Sequence, residues 1–275
     1  MPAVFCLRLA AGMLACLLLL PPAVVNPRFY RTHFLTTLGL SLAALLLVRQ
    51  AAAGPVLALL GAGVALCFLG SLAWSLEGAL GTGQDFKARS ASEAILLPRS
   101  RFGLGWSGPV ALIAVTVAAL AAGLGLLEAG APRSGPLAPA LLGDGASAAL
   151  LGAALTAMLL GHSYLIAPAM SIRPLTRLLT TLAVTVVARA ALDGHALWRW
   201  TDSHALANLG NETLLWLPVR WAVGFAAPLA LIWMAWQTAR IRSTQSATGI
   251  LYVVVIFCFL GELTALLLRE AGVVL

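Results

Sequence analysis

The chain has 275 residues, of which 61% are hydrophobic and 10% charged; a soluble domain carries about 25% charged residues, so lipid must be the solvent for most of this surface. Lysine and arginine outnumber aspartate and glutamate 17 to 10, but the basic residues sit in short breaks between apolar runs, where they orient a membrane protein. No RNP, zinc or basic-helix pattern supports a nucleic-acid partner, and Cys6, Cys16, Cys67 and Cys258 lie singly in apolar segments, which suits helix packing rather than a disulfide framework.

A helix needs about 20 mostly apolar residues to cross the hydrocarbon core. Eight segments qualify, near 3–25, 34–53, 55–77, 109–128, 146–167, 174–193, 213–238 and 249–268. The expected fold is therefore an all-α polytopic bundle forming one integral membrane domain over 1–275, with the lipid bilayer as its main partner.

The first segment has a basic start at Arg8 and a leucine-rich run to Leu20, which resembles a secretory leader. The Pro21-Pro22 pair lacks a small-x-small cleavage pattern, so the segment is expected to stay as a span. Gly54-Pro55 separates the second and third spans as a tight break. The longest polar stretch, 78–108, contains Ser90-Ala-Ser-Glu93 at capping-box spacing and is expected to form a short surface helix. Small residues at Ala111, Val115, Ala119 and Gly123, and at Ala149, Ala153, Ala157 and Gly161, recur every four positions and are expected to face neighbouring helices.

Alternate connections differ in charge. Arg28, Arg31, Lys87, Arg89, Arg99, Arg101, Arg173, Arg177, Arg240 and Arg242 fall on one side, which makes ten; Arg8, Arg49, Arg133, Arg199 and Arg269 on the other make five. The bias places the first set in the cytoplasm and both termini outside. Sparse lysine with abundant alanine, leucine, glycine and arginine resembles a GC-rich bacterial proteome, so the expected location is a bacterial inner (plasma) membrane.

Ionisable residues within the spans are costly, at about 2.5–3.5 kcal/mol each on insertion scales, and ask for a partner or a purpose. At about 1.5 Å per residue, Arg220 on the seventh span and Glu262 on the eighth reach one depth. They are expected to pair, with Arg189 and Asp193 at nearly the same level, as a helix-pinning ion pair or a proton or anion relay.

Toward the opposite side, His33 and His162 also share a level, with Arg173, Arg240 and Arg242 beyond them. Two histidines can clamp a b-type haem and arginines can hold its propionates; the same group can receive a quinone or a polar headgroup. His195, Asp202 and His204 gather in a stretch read as a loop over 194–212, a weak metal candidate in no standard spacing. Gly105-Trp-Ser-Gly108 resembles an intramembrane serine-protease motif, but it precedes its helix and no later span supplies a base at suitable depth. Three function classes follow: a redox subunit holding haem or meeting quinone, a small-solute transporter or channel, and a noncatalytic subunit or assembly factor of a membrane complex.

Overall fold

The computed structural model describes residues 2–20, 25–80, 107–130, 137–167, 170–203 and 210–273. Among them there is no strand, and the helices are α1 (Pro2–Leu17), α2 (Pro27–Val48), α3 (Gly54–Leu80), α4 (Ser107–Gly130), α5 (Leu137–Ile166), α6 (Arg173–Ser203), α7 (Asn211–Trp221), α8 (Ala227–Arg240) and α9 (Thr244–Glu270). A π-helical turn, Ala222–Ala226, joins α7 to α8, so the two form one crossing. The chain is an all-α polytopic membrane bundle.

Among the described residues seven helices are long and apolar enough to cross a membrane, counting α7 to α8 as one, while α1 is shorter at 16 residues. At about 1.5 Å per residue α1 covers roughly 24 Å, less than a hydrocarbon core of about 30 Å. Its shortness goes with its position. Leu7, Leu9, Ala10, Met13, Leu14 and Leu17 are all buried, because α1 packs on α2, α4 and α5 at once. The outer helices instead present Leu46, Leu47, Phe68, Val184, Val187 and Ile256 at more than half exposure. Such a continuous apolar exterior fits lipid.

The bundle has two faces. The terminal face carries the start of α1, the α2–α3 break and the end of α9. The basic face carries Arg28, Arg31, Arg173, Arg177, Arg240 and Arg242. Local signals explain the ends at the basic face. Asn26 caps α2 by accepting the Arg28 backbone N–H at 2.9 Å, with Pro27 opening the helix. The Tyr30 hydroxyl donates to the Leu20 carbonyl at 2.7 Å and ties the turn after α1 to α2.

Between α8 and α9 the Ser243 N–H donates to the Thr238 carbonyl at 3.0 Å, and Arg242 takes φ 57°. This is the left-handed stop that helices normally give to glycine. Arg242→Gly is therefore expected to raise stability by up to about 1 kcal/mol, read as a higher thermal midpoint in detergent.

Two close crossings set the interior. A Cβ on Gly12 would lie 2.6 Å from the Ala148 carbonyl carbon and 3.2 Å from the Gly152 Cα, so α1 and α5 meet backbone to backbone. A Cβ on Gly224 would lie 3.0 Å from the Gly261 Cα, which brings the π turn equally close to α9. In lipid such small-residue contacts replace hydrophobic burial as the source of helix association.

Some expectations need correction. Ala153, Ala157 and Gly161 are buried, but on α4 Ala111 and Val115 are exposed; the packing face there is Ile113, Thr116, Leu120 and Gly123. The larger residues fill the wider gap to α3, where Leu60 meets Gly123 and Leu120 meets Gly63. The segment 194–203, read as a loop, continues α6 to Ser203. The surface helix expected around 90–97 lies outside the described residues.

Candidate functional site

Six ionisable side chains from five helices converge inside the bundle. Arg8 comes from α1, Asp144 from α5, Arg189 and Asp193 from α6, Arg220 from α7 and Glu262 from α9; none is more than 4% exposed. Most lie about 9–15 Å inside the terminal ends of their helices, at about 1.5 Å per residue. Three arginines and three carboxylates make the group neutral. An uncompensated charge at this depth would cost several kcal/mol, so balance is the condition for its existence.

Arg220 is the hub. Its Nη2 donates to Glu262 Oε1 at 2.9 Å and its Nε to Asp193 Oδ2 at 2.8 Å, while its guanidinium carbon lies 4.2 Å from the centre of the Phe225 ring. The local sequence explains this reach. Pro218 breaks the regular ladder just before Arg220, and the following turn widens so that the Ala227 N–H bonds the Ala222 carbonyl. Such π turns recur at functional sites, and this one also seats Gly224 against Gly261.

Arg189 pairs with Asp193 one turn along α6, donates from Nε to Ser147 Oγ at 3.0 Å, and has Glu262 Oε1 at 3.5 Å. Arg8 closes the other side. It is bonded to Asp144 Oδ1 through both Nε, at 3.1 Å, and Nη2, and its Nη1 lies 3.9 Å from Glu262 Oε2. Two oxygens in the cluster, Asp144 Oδ2 and Glu262 Oε2, are buried without a hydrogen-bond partner among the described residues. Both belong to carboxylates that flank Arg8.

A fourth pair stands between the cluster and the terminal face. Arg269 Nη2 donates to Glu128 Oε2 at 2.6 Å and Nη1 to Oε1 at 3.2 Å, a bidentate fork. Glu128 and Arg269 lie within about 3 Å of the terminal ends of their helices, against about 10 Å for Asp144. Glu128 also lines a cavity of ≈420 Å³ whose walls include Ala3, Val4, Ala52 and Leu127. No protein-family model matches the chain, and no curated protein or solved structure shows significant similarity to it. Function must therefore be argued from this geometry.

The structure brings Arg189, Asp193, Arg220 and Glu262 together and adds Arg8, Asp144 and Ser147. It does not bring His33 and His162 onto a shared face. His33 is fully buried, with Nδ1 2.9 Å from the Phe29 carbonyl and Nε2 3.3 Å from Thr156 Oγ1. The first contact requires Nδ1–H as donor, which leaves Nε2 to accept from the Thr156 hydroxyl. His162 is exposed, and it stands on α5 about 9 Å along the axis and about 240° around from Thr156. These residues do not fit an axial pair on one haem.

Arg173, Arg240 and Arg242 are exposed at the basic face, as is Arg177. They suit headgroup contact there. His195 and Asp202 are both exposed on α6, separated by about 10 Å of helix rise, which is too far to share one metal ion; His204 lies outside the described residues. Among the described residues no group of three histidine, cysteine, aspartate or glutamate side chains is placed to hold a metal.

Proposed function

We propose that this protein is a transporter of the plasma membrane that carries protons, alone or with a small solute, through the Arg8/Asp144/Glu262 part of the buried cluster. The observation that carries the reading is that Asp144 Oδ2 and Glu262 Oε2, on the two residues flanking Arg8, are buried and accept no hydrogen bond among the described residues. A network that serves only to pin helices gains most when every buried polar atom is satisfied. Here two oxygens keep the capacity to accept a proton or a water hydrogen bond.

The chemistry divides cleanly. Arginine stays protonated, so Arg8, Arg189 and Arg220 orient and balance charge. Protonating one carboxylate moves the whole cluster from neutral to a single positive charge, a state that is costly in lipid and therefore short-lived. That is suitable for transit rather than storage. The glycine crossings beside Arg8 and Glu262 supply close-packed helices that can change between discrete arrangements. The charge asymmetry of the connections supports both termini outside, and the lysine-poor composition rich in alanine, leucine, glycine and arginine supports a bacterial inner membrane.

The haem and quinone reading finds less support, since the histidines that suggested it point to different surroundings. A noncatalytic subunit role, with the cluster as a pin and other membrane subunits as partners, makes the opposing forecast in one experiment. Purified protein is reconstituted into vesicles containing a pH-sensitive dye, and a valinomycin-driven potassium potential is applied. The expected result is proton entry at least tenfold above protein-free vesicles. Folded protein in vesicles that stay as tight as empty ones would favour the pin.

A further inference from the structure

We infer that the cavity at the terminal face is the entry to the cluster, and that Glu128 is the first carboxylate to take a proton there; this rests on the transport reading above. The cavity reaches inward from the α2–α3 break, between the first turn of α1 and the last turn of α4. Its walls are alanine, valine, leucine and glycine, and among the described residues Glu128 is the one charged side chain there. Glu128 is 3% exposed, whereas its partner Arg269 has a side chain 28% exposed. The pair therefore joins a buried acceptor to a cation that can reach toward water.

The positions form a file. Glu128 and Arg269 come first, within about 3 Å of the terminal ends of their helices; Asp144 and the Arg8 bonded to it follow at about 9–11 Å, then Glu262 at about 12 Å. A hydronium ion in the cavity gives its proton to a Glu128 oxygen, leaving water. The neutral carboxyl holds Arg269 less strongly, because the charge-assisted fork becomes an ordinary hydrogen bond. The proton then moves along bridging water from Glu128 to Asp144, about 7 Å deeper, whose Oδ2 accepts no hydrogen bond among the described residues; Glu128 recovers its charge and its bond to Arg269. Water beside Arg8 carries it in turn from Asp144 to Glu262 Oε2. Each donor returns to carboxylate, so charge and atoms balance over the sequence.

Two variants test the assignment in the same vesicles. In protein whose four native cysteines are replaced by alanine, Ala52→Cys is treated with a membrane-impermeant, positively charged thiosulfonate. Labelling is followed by mass spectrometry and flux by the internal dye. Full labelling with at least a tenfold loss of flux is expected. Gln50→Cys, on the same face but outside the cavity wall, should label without loss.

Independently, Glu128→Gln in the otherwise native protein should lower flux at least tenfold while the protein remains folded, since Arg269 can turn toward water. Ala52→Cys that resists the reagent, or that conducts normally when fully labelled, would overturn the entry. So would a folded Glu128→Gln protein with native flux. Either of these results leaves transport standing, whereas a wild-type protein without flux removes transport first and the entry with it.

Discussion

Arg220→Met is expected to cost the folded bundle about 3–5 kcal/mol, the range for breaking a buried ion pair by removing one partner. Two carboxylates depend on that guanidinium, Asp193 at 2.7 Å and Glu262 at 2.9 Å. Removing it leaves three acids facing two arginines. Glu262→Met alone gives the reverse imbalance and a similar loss. The double variant Arg220→Met/Glu262→Met is expected to recover most of the folded yield. Arg8 then pairs with Asp144 and Arg189 with Asp193, so neutrality returns. Monodisperse yield after detergent extraction and the thermal midpoint measure all three. Equal yields for singles and double would show that the two residues are not energetically coupled.

The second large effect has no charge in it. Gly12→Val is expected to abolish the folded state, because its Cβ would collide with the Ala148 carbonyl, which is backbone and cannot swing away. The α1–α5 crossing would have to open, and Arg8, one turn earlier on α1, would leave Asp144. Loss of the cluster thus amplifies a clash that begins at a single Cβ. Gly39→Ala, where an added Cβ meets nothing within 4 Å, is the matched control. It should be neutral or slightly stabilising, since alanine is the better helix former. Expression with a fluorescent fusion and size-exclusion profiles distinguish the two.

The bundle was legible from hydropathy alone because lipid forces every span to be a helix with its backbone bonded internally. The level shared by Arg220 and Glu262 was legible from rise per residue. The rest of the cluster was hidden for physical reasons. Asp144 lies just before the expected span at 146–167, but α5 begins at Leu137. Pro139, Gly143 and Gly145 are poor helix formers, yet proline is tolerated in a first helical turn, and the helix runs through both glycines.

Arg8 looked like the basic start of a leader or a membrane-edge charge. Its role depends on α1 being threaded through the centre, a tertiary fact that no local pattern encodes. The signal that could have found it is the rule applied to Arg220: a charge inside an apolar run needs a partner. His33 and His162 illustrate the converse. Depth along the membrane normal was readable, but facing was not, since a shared level says nothing about angle around each helix.

Proton flux through the charge-balanced double variant tests the role of Glu262 most directly. Arg220→Met/Glu262→Met is reconstituted at the same protein-to-lipid ratio as the native chain, with folding checked in the same sample. If the cluster carries protons through Glu262, this protein is folded, neutral and silent, with proton entry at the level of empty vesicles. Native flux from the folded double variant would contradict the proposal and return the cluster to a purely structural role.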